Sequence, residues 1–206
     1  MADKLKVGVL LSGRGSNMLA LAEYKRKADP AYEIVLVASN VPEARGLVLA
    51  RRLGLKTWAH SHKGLDRAEF DMLVDAELRR HGVGLVALAG YMRLLSPEFI
   101  RAWEGRIVNI HPSLLPRYKG LDTHRKALLA GDLEAGCSVH VVTEELDDGP
   151  VLAQARVRIA ARDDADSLAA RVLGAEHDLY PRALDDFARQ LLGEREGAWH
   201  ARTRNA

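Results

Sequence analysis

The sequence predicts a doubly wound α/β fold: a mostly parallel sheet with helices on both faces, a C-terminal antiparallel strand addition and a long C-terminal helix. Three observations carry this. Short apolar, β-branched runs alternate with longer helical segments as far as Ile110. After residue 120 the rhythm changes to two strand-like runs joined by an acidic turn, Glu144-Glu145-Leu146-Asp147-Asp148-Gly149-Pro150. The remainder is one long helical pattern.

Taken in order, Lys6 to Leu11 reads as a buried strand and Asn17 to Lys27 as a helix. Glu33 to Ser39 is the second strand. Pro42 to Leu53 has helical spacing and stops at Gly54, a C-cap residue. Lys56 to Trp58 is a short third strand. Arg67 to His81 is helical, with Phe70, Leu73, Val74 and Leu78 on one face and Gly82 closing it. Leu85 to Leu88 is wholly apolar, as a central parallel strand should be. Pro97 to Trp103 begins with Ser96 as N-cap and Pro97 at the first helical position. Ile107 to Ile110 is the next strand. A helix at His124 to Ala130 precedes two strands of an added sheet portion, Ser138 to Val142 and Val151 to Ile159. The last helix runs from about Ser167 to Leu192, interrupted near Pro181, and a polar tail with three arginines follows. With no repeat, linker or composition break, the 206 residues read as one domain. Residues 1–120 form a phosphate-binding half, 121–192 a second half and 193–206 a tail.

Bulk properties narrow the function classes. Hydrophobic residues make up 48% and aromatics 5%, so the core is mostly aliphatic. A net charge of +2, spread rather than blocked, does not point to nucleic acid. The single cysteine, Cys137, excludes an intramolecular disulfide and reads as a small buried thiol, which fits a reducing cytoplasm. No signal peptide or apolar run of membrane length is visible, so a cytoplasmic location is expected.

In open α/β sheets ligands sit at the carboxyl ends of the strands, and three loops there are unusual. The first is Ser12-Gly13-Arg14-Gly15-Ser16-Asn17. Its glycines let backbone amides turn toward an anion at the start of a helix. Met18 replaces the third glycine of a dinucleotide fingerprint, and Ser39-Asn40 supplies no acid after the second strand. A small phosphate monoester is therefore the better ligand. The second loop, Gly90-Tyr91-Met92-Arg93-Leu94-Leu95-Ser96-Pro97, could line an apolar slot for a flat heterocycle.

The third loop is Asn109-Ile110-His111-Pro112-Ser113-Leu114-Leu115-Pro116. Asn109 and His111, two apart on a strand, share a face. Asn109 could donate to an oxyanion and His111 could do so or shuttle a proton. Asp147, folded back against His111, would favour its charged form and hold its orientation. His60-Ser61-His62 lacks a third ligand close in sequence and reads as an exposed loop. His124 would reach back toward the site, and His140 would point inward behind it. His81 and His200 read as surface positions. Glu176 and His177 face either the cleft or solvent.

These motifs together resemble the phosphoribosylglycinamide formyltransferases, folate-dependent enzymes of purine synthesis, over residues 5 to 192. The resemblance rests on the Ser12–Asn17 loop, Ala89-Gly90-Tyr91-Met92-Arg93, the Asn109–Pro116 stretch and Glu145-Leu146-Asp147-Asp148-Gly149-Pro150. It implies a Rossmann-like formyltransferase fold and transfer of a formyl group from 10-formyltetrahydrofolate, a co-substrate, to the amine of glycinamide ribonucleotide. It implies that Asn109, His111 and Asp147 are catalytic and that Gly15, Ser16, Asn17 and Glu176 hold the ribonucleotide. Arg67, Met92, Arg93, Leu94 and Leu95, with Thr143, Glu144, Glu145, Leu146 and Asp147, would hold the folate. No metal is expected, and the protein would be a monomer or weak homodimer. Two positions depart from the family pattern: Asp122 stands where some members carry histidine, and Asp148 replaces a glycine common in the turn. A methionyl-tRNA formyltransferase would need a further C-terminal domain and a formyltetrahydrofolate hydrolase an N-terminal one. A phosphosugar-binding module without catalysis is the rival from another class. Leu115-Pro116 is a candidate cis bond.

Overall fold

The structure, a computed structural model, describes the backbone of residues 4–203 and side chains through Glu194. A seven-stranded sheet runs through it in the order β3-β2-β1-β4-β5-β6-β7. Its strands are β1 (Leu5–Leu11), β2 (Tyr32–Ser39), β3 (Thr57–Ala59), β4 (Leu85–Leu88), β5 (Ile107–His111), β6 (Glu134–Val141) and β7 (Val151–Arg158). Pairing is parallel from β3 to β5 and antiparallel from β5 through β7. The order reverses between β1 and β4, the point at which an open α/β sheet forms its ligand crevice.

Six α-helices cover both faces: α1 (Ser16–Glu23), α2 (Arg45–Arg52), α3 (Arg67–Arg80), α4 (Pro97–Ala102), α5 (Thr123–Leu129) and α6 (Ala165–Thr203). The period-two alternation of the strands divides the core. Val7, Val9, Leu85 and Ala87 pack with α1, α2, α5 and α6. Leu10, Val86 and Leu88 pack with Phe70, Val74 and Leu78 of α3 and with Phe99 and Ile100 of α4. Parallel strands covered on both sides must be apolar on both sides, which is why β4 is entirely buried.

Several sequence expectations need correction. Pro181 does not interrupt the last helix, which is continuous from Ala165 to Thr203. Tyr180, Ala183, Leu184, Phe187 and Ala188 bury one face of α6 in the core on either side of the proline, and that packing outweighs the one main-chain hydrogen bond lost. The helix also takes in most of the expected tail; Arg204 to Ala206, and the side chain of His200, lie outside the described residues. On α3 the buried face is Phe70, Asp71, Val74 and Leu78, while Leu73 is exposed. His81 is not a free surface group, because its Nδ1 lies 3.0 Å from the Glu77 carbonyl at the helix end. Cys137 lies within β6 rather than before it, fully buried, and burial pushes its thiol up to about 12. The Ser96 cap is present, its Oγ accepting the Phe99 N–H at 3.2 Å, and Leu115-Pro116 is cis.

Candidate active site

Register sets the chemistry at the end of β5. Asn109 and His111 pair with His140 and Ser138 of β6 and lie on one face of the sheet. The His140 Nδ1–H donates to the Val141 carbonyl at 3.0 Å, and its Nε2 lies 3.2 Å from the Asn109 amide nitrogen. That contact places the Asn109 amide nitrogen beside His140, with an N–H of the amide remaining to meet an oxyanion.

The hairpin between β6 and β7 brings Asp147 onto the same spot. Tight closure of this turn requires Gly149, where an added Cβ would lie 1.8 Å from the Val141 carbonyl oxygen. Asp147 itself adopts the left-handed region, φ 49°, which carboxylate and carboxamide residues tolerate better than others. Its Oδ2 lies 3.4 Å from His111 Nδ1 and accepts the Gly120 N–H at 2.9 Å; its Oδ1 lies 3.6 Å from His140 Nε2. The expected approach of Asp147 to His111 is thus present. Burial pushes the Asp147 carboxyl up, but the His140 ring, the Gly120 N–H and the charge of His111 outweigh it and hold the group below the usual carboxylate range.

His111 is 5% exposed, and its Nε2 lies 3.0 Å from the Tyr118 carbonyl. Both ring nitrogens therefore face acceptors. His124 lines a small pocket with Pro112, Ser113 and Tyr118 and lies close enough to His111 to feel its charge. Burial, then the charge of His111, lowers its pKa.

At the end of β1, Gly15 caps α1 in the left-handed conformation, φ 79°, and has no side chain to occupy the first helical N–H groups. It packs directly on the start of α2: a Cβ on Gly15 would lie 2.5 Å from the Gly46 Cα, and the Gly46 N–H donates to the Gly13 carbonyl at 3.0 Å. Asn17 turns inward, and its Nδ2 donates to Glu176 Oε2 at 2.7 Å with both residues buried. Glu176 is carried there by α6, whose Tyr180, one turn later, donates its hydroxyl to the carbonyls of Leu88 at 2.9 Å and Val108 at 3.3 Å. Burial raises the Glu176 carboxyl, opposed by the Asn17 hydrogen bond. His177, on the next position, is half-buried.

Beside the ends of β1 and β4 lies a cleft of about 670 Å³ lined by Ser12, Asn40, Val41, His62, Leu65, Arg67, Met92, Arg93 and Leu94. That volume lies within the range of small-molecule sites. Ser12 ties its walls together, donating to Asn40 Oδ1 at 2.6 Å and accepting the Met92 N–H at 2.8 Å. Of the residues expected at a folate site, Arg67, Met92, Arg93 and Leu94 line this cleft. Leu95 is 7% exposed and packs in the core, so its side chain does not line it. Thr143, Glu144, Glu145 and Leu146 stand apart from it on the hairpin beside Asp147, and Glu144 is paired with Arg101 at 2.9 Å. Asn40, Val41 and Leu65 carry no motif, and His62, read from the sequence as part of an exposed loop, is instead half-buried in the cleft wall with its Nδ1 2.9 Å from the Asn40 carbonyl. Among the described residues no group of three or more His, Cys, Asp or Glu is placed to hold a metal ion, and no helix is long and apolar enough to cross a membrane.

Comparison with known proteins gives a consistent picture. The family model described as formyl transferase matches residues 5–184. Phosphoribosylglycinamide formyltransferase of Escherichia coli K12 is 43% identical over 94% of this chain and 92% of its own. The trifunctional purine biosynthetic protein adenosine-3 of Gallus gallus is 45% identical over 88% of this chain, which spans only 18% of that longer protein. The crystal structure of phosphoribosylglycinamide formyltransferase from Brucella melitensis superposes with a TM-score of 0.86 at 48% identity, covering 90% of this chain and 96% of that one.

Proposed function

The chain belongs to the formyl transferase family, and from that premise we propose that it transfers the formyl group of 10-formyltetrahydrofolate to the amine of glycinamide ribonucleotide in purine synthesis. The observation that carries this reading is the convergence of Asn109, His111 and Asp147 at the same sheet edge as a Gly15-capped helix start and a cleft of about 670 Å³. We take residues 1–206 to act as one formyltransferase domain, monomeric or weakly dimeric, in the cytoplasm.

The folate co-substrate supplies an activated formyl carbon, and the cleft lined by Met92, Leu94 and Arg67 has the size and mixed polar–apolar character to hold it. Arg93 borders it, Leu95 offers only main-chain atoms, and Thr143 to Leu146 would close over it from the hairpin. The main-chain amides after Gly15, at Ser16 and Asn17, meet the ribonucleotide phosphate. Glu176, held by Asn17, faces the glycinamide end. The amine nitrogen bonds to the formyl carbon, and the oxygen gains negative charge. The free Asn109 N–H and protonated His111 stabilise that oxyanion, which replaces the Tyr118 carbonyl as acceptor for the His111 Nε2–H. Asp147 holds Nδ1 and, through water, assists transfer of the amine proton to the departing folate nitrogen as the carbon–nitrogen bond to the folate breaks.

The test is a spectrophotometric assay of folate deformylation with and without the ribonucleotide. Signal that depends on the ribonucleotide supports the transferase. Signal without it indicates a hydrolase, and none from folded protein indicates another acceptor or a binding module.

Glu176 gives a separate prediction. A buried carboxyl whose pKa is raised above its unfolded value favours folding most in its protonated form, and that contribution is lost as pH rises through the carboxylate range. Glu176→Gln removes the charge and keeps an acceptor for Asn17. It should raise Tm near neutral pH, by about 2–4 °C per kcal/mol recovered, with little change in acid. The same variant should weaken ribonucleotide binding. Thermal melts at two pH values and the KM for each substrate check both.

A further inference from the structure

The segment Tyr91 to Ser96, after β4, alternates between two environments. Met92 and Leu94 are exposed at the cleft, Arg93 borders it with its guanidinium turned back onto α3, and Leu95 and Ser96 are buried. Helix α3 holds the inward groups. Arg93 Nη2 donates to the Asp66 carbonyl at 2.9 Å, and its guanidinium lies 5.1 Å from the centre of the Phe70 ring. Asp71 is 1% exposed, and its Oδ2 accepts the Ser96 N–H at 2.5 Å. One turn on, Asp75 accepts the Trp103 indole N–H at 2.7 Å, fixing the end of α4 to the same helix.

Asp71 is the anomaly in this row. The buried face of α3 is otherwise Phe70, Val74 and Leu78, and an apolar residue at 71 would avoid the cost of removing a carboxylate from water. Burial raises its carboxyl, and only the Ser96 hydrogen bonds and the charges of Arg93 and Arg67 oppose this. The tyrosine at the start of the same segment feels the same group: burial, then the Asp71 charge, pushes the Tyr91 phenol up. A carboxylate kept in a helix core, bonded to the main chain at one end of a segment and coupled to Tyr91 and Arg93 in it, sets that segment's path. We infer that Asp71 is a positioning residue for the folate-binding segment, holding Met92 and Leu94 at the height from which they contact the heterocycle. The inference rests on the reading that this segment binds folate.

Steady-state kinetics of Asp71→Ala separate positioning from general stability. The KM for 10-formyltetrahydrofolate should rise about tenfold, the order expected for loss of a hydrogen bond to a charged group, with kcat and the ribonucleotide KM unchanged. Asp71→Asn, which keeps an acceptor for the Ser96 N–H, should restore the folate KM to within about twofold. A lower Tm with both KM values unchanged, or with both raised equally, would overturn the inference. Leu94→Ala separates this failure from failure of the folate reading. If Leu94→Ala raises the folate KM and Asp71→Ala does not, Asp71 has no positioning role. If neither raises it, the segment does not bind folate. Should the alanine variant not fold, Asp71→Glu displaces the carboxylate by one methylene and should still raise the folate KM selectively; an unchanged value would count against the inference.

Discussion

Replacing His111 by alanine should lower kcat by about a thousandfold while leaving both KM values nearly unchanged, the size seen when one oxyanion donor or proton shuttle is lost. The reason is geometric. His111 is almost fully enclosed, with Tyr118 and Asp147 on its two nitrogens, so it makes no broad contact surface for a substrate. What it offers is one N–H at the end of β5, and that is worth most when the formyl oxygen becomes an anion. An interaction made mainly in the transition state appears in kcat, not in binding. An equal loss of affinity with normal turnover would remove His111 from the chemistry.

Asp147→Asn should lower kcat by about a hundredfold or more, the scale of a lost proton-transfer partner, and should do so in a folded protein. Asparagine tolerates the positive φ of 49° at this position and can still accept the Gly120 N–H. What it cannot do is place a negative charge beside His111 Nδ1 or receive a proton. The same substitution has a thermodynamic signature. The folded Asp147 carboxyl sits below its unfolded value of about 3.9, so its contribution to stability is fully present above that pH and is lost as pH falls through the folded value. Asp147→Asn should therefore melt below the wild type near neutrality, and the gap should close in acid. Its kcat at neutral pH and its Tm across the acid range test the two effects independently.

How much of this was legible in the sequence depended on whether the signal was local. The central strands were, because a parallel strand covered on both faces must read as a continuous apolar run, and Leu85–Leu88 does. The Asn109/His111 pair was legible because two-residue spacing on a strand fixes a common face. The Asp147 contact was only conditional in the sequence, because a residue 36 positions further on reaches His111 only through the pairing of β5 with β6 that returns the hairpin turn to the end of β5. The continuity of α6 through Pro181 was not legible: a proline is a local breaker, and only burial of Tyr180, Ala183 and Leu184 against the sheet shows why the helix persists. Asp71 was equally hidden. Helical spacing placed Leu73 on the buried face and could not show that a carboxylate would be enclosed to hold Ser96. Asn40 and His62 join the cleft only because β2 and the loop after β3 end beside β1, which is a fact of topology rather than of motif. Glu176 could have faced either way from its pattern alone; packing of α6 on α1 decides it.

The most direct test of formyl transfer follows the carbon itself. The protein would be incubated with isotopically labelled 10-formyltetrahydrofolate and glycinamide ribonucleotide, and the ribonucleotide analysed by mass spectrometry. The expected result is one labelled formyl group on the glycinamide nitrogen, formed by the wild type and nearly absent with His111→Ala. Label released as free formate, with the ribonucleotide unchanged, would contradict the proposed reaction.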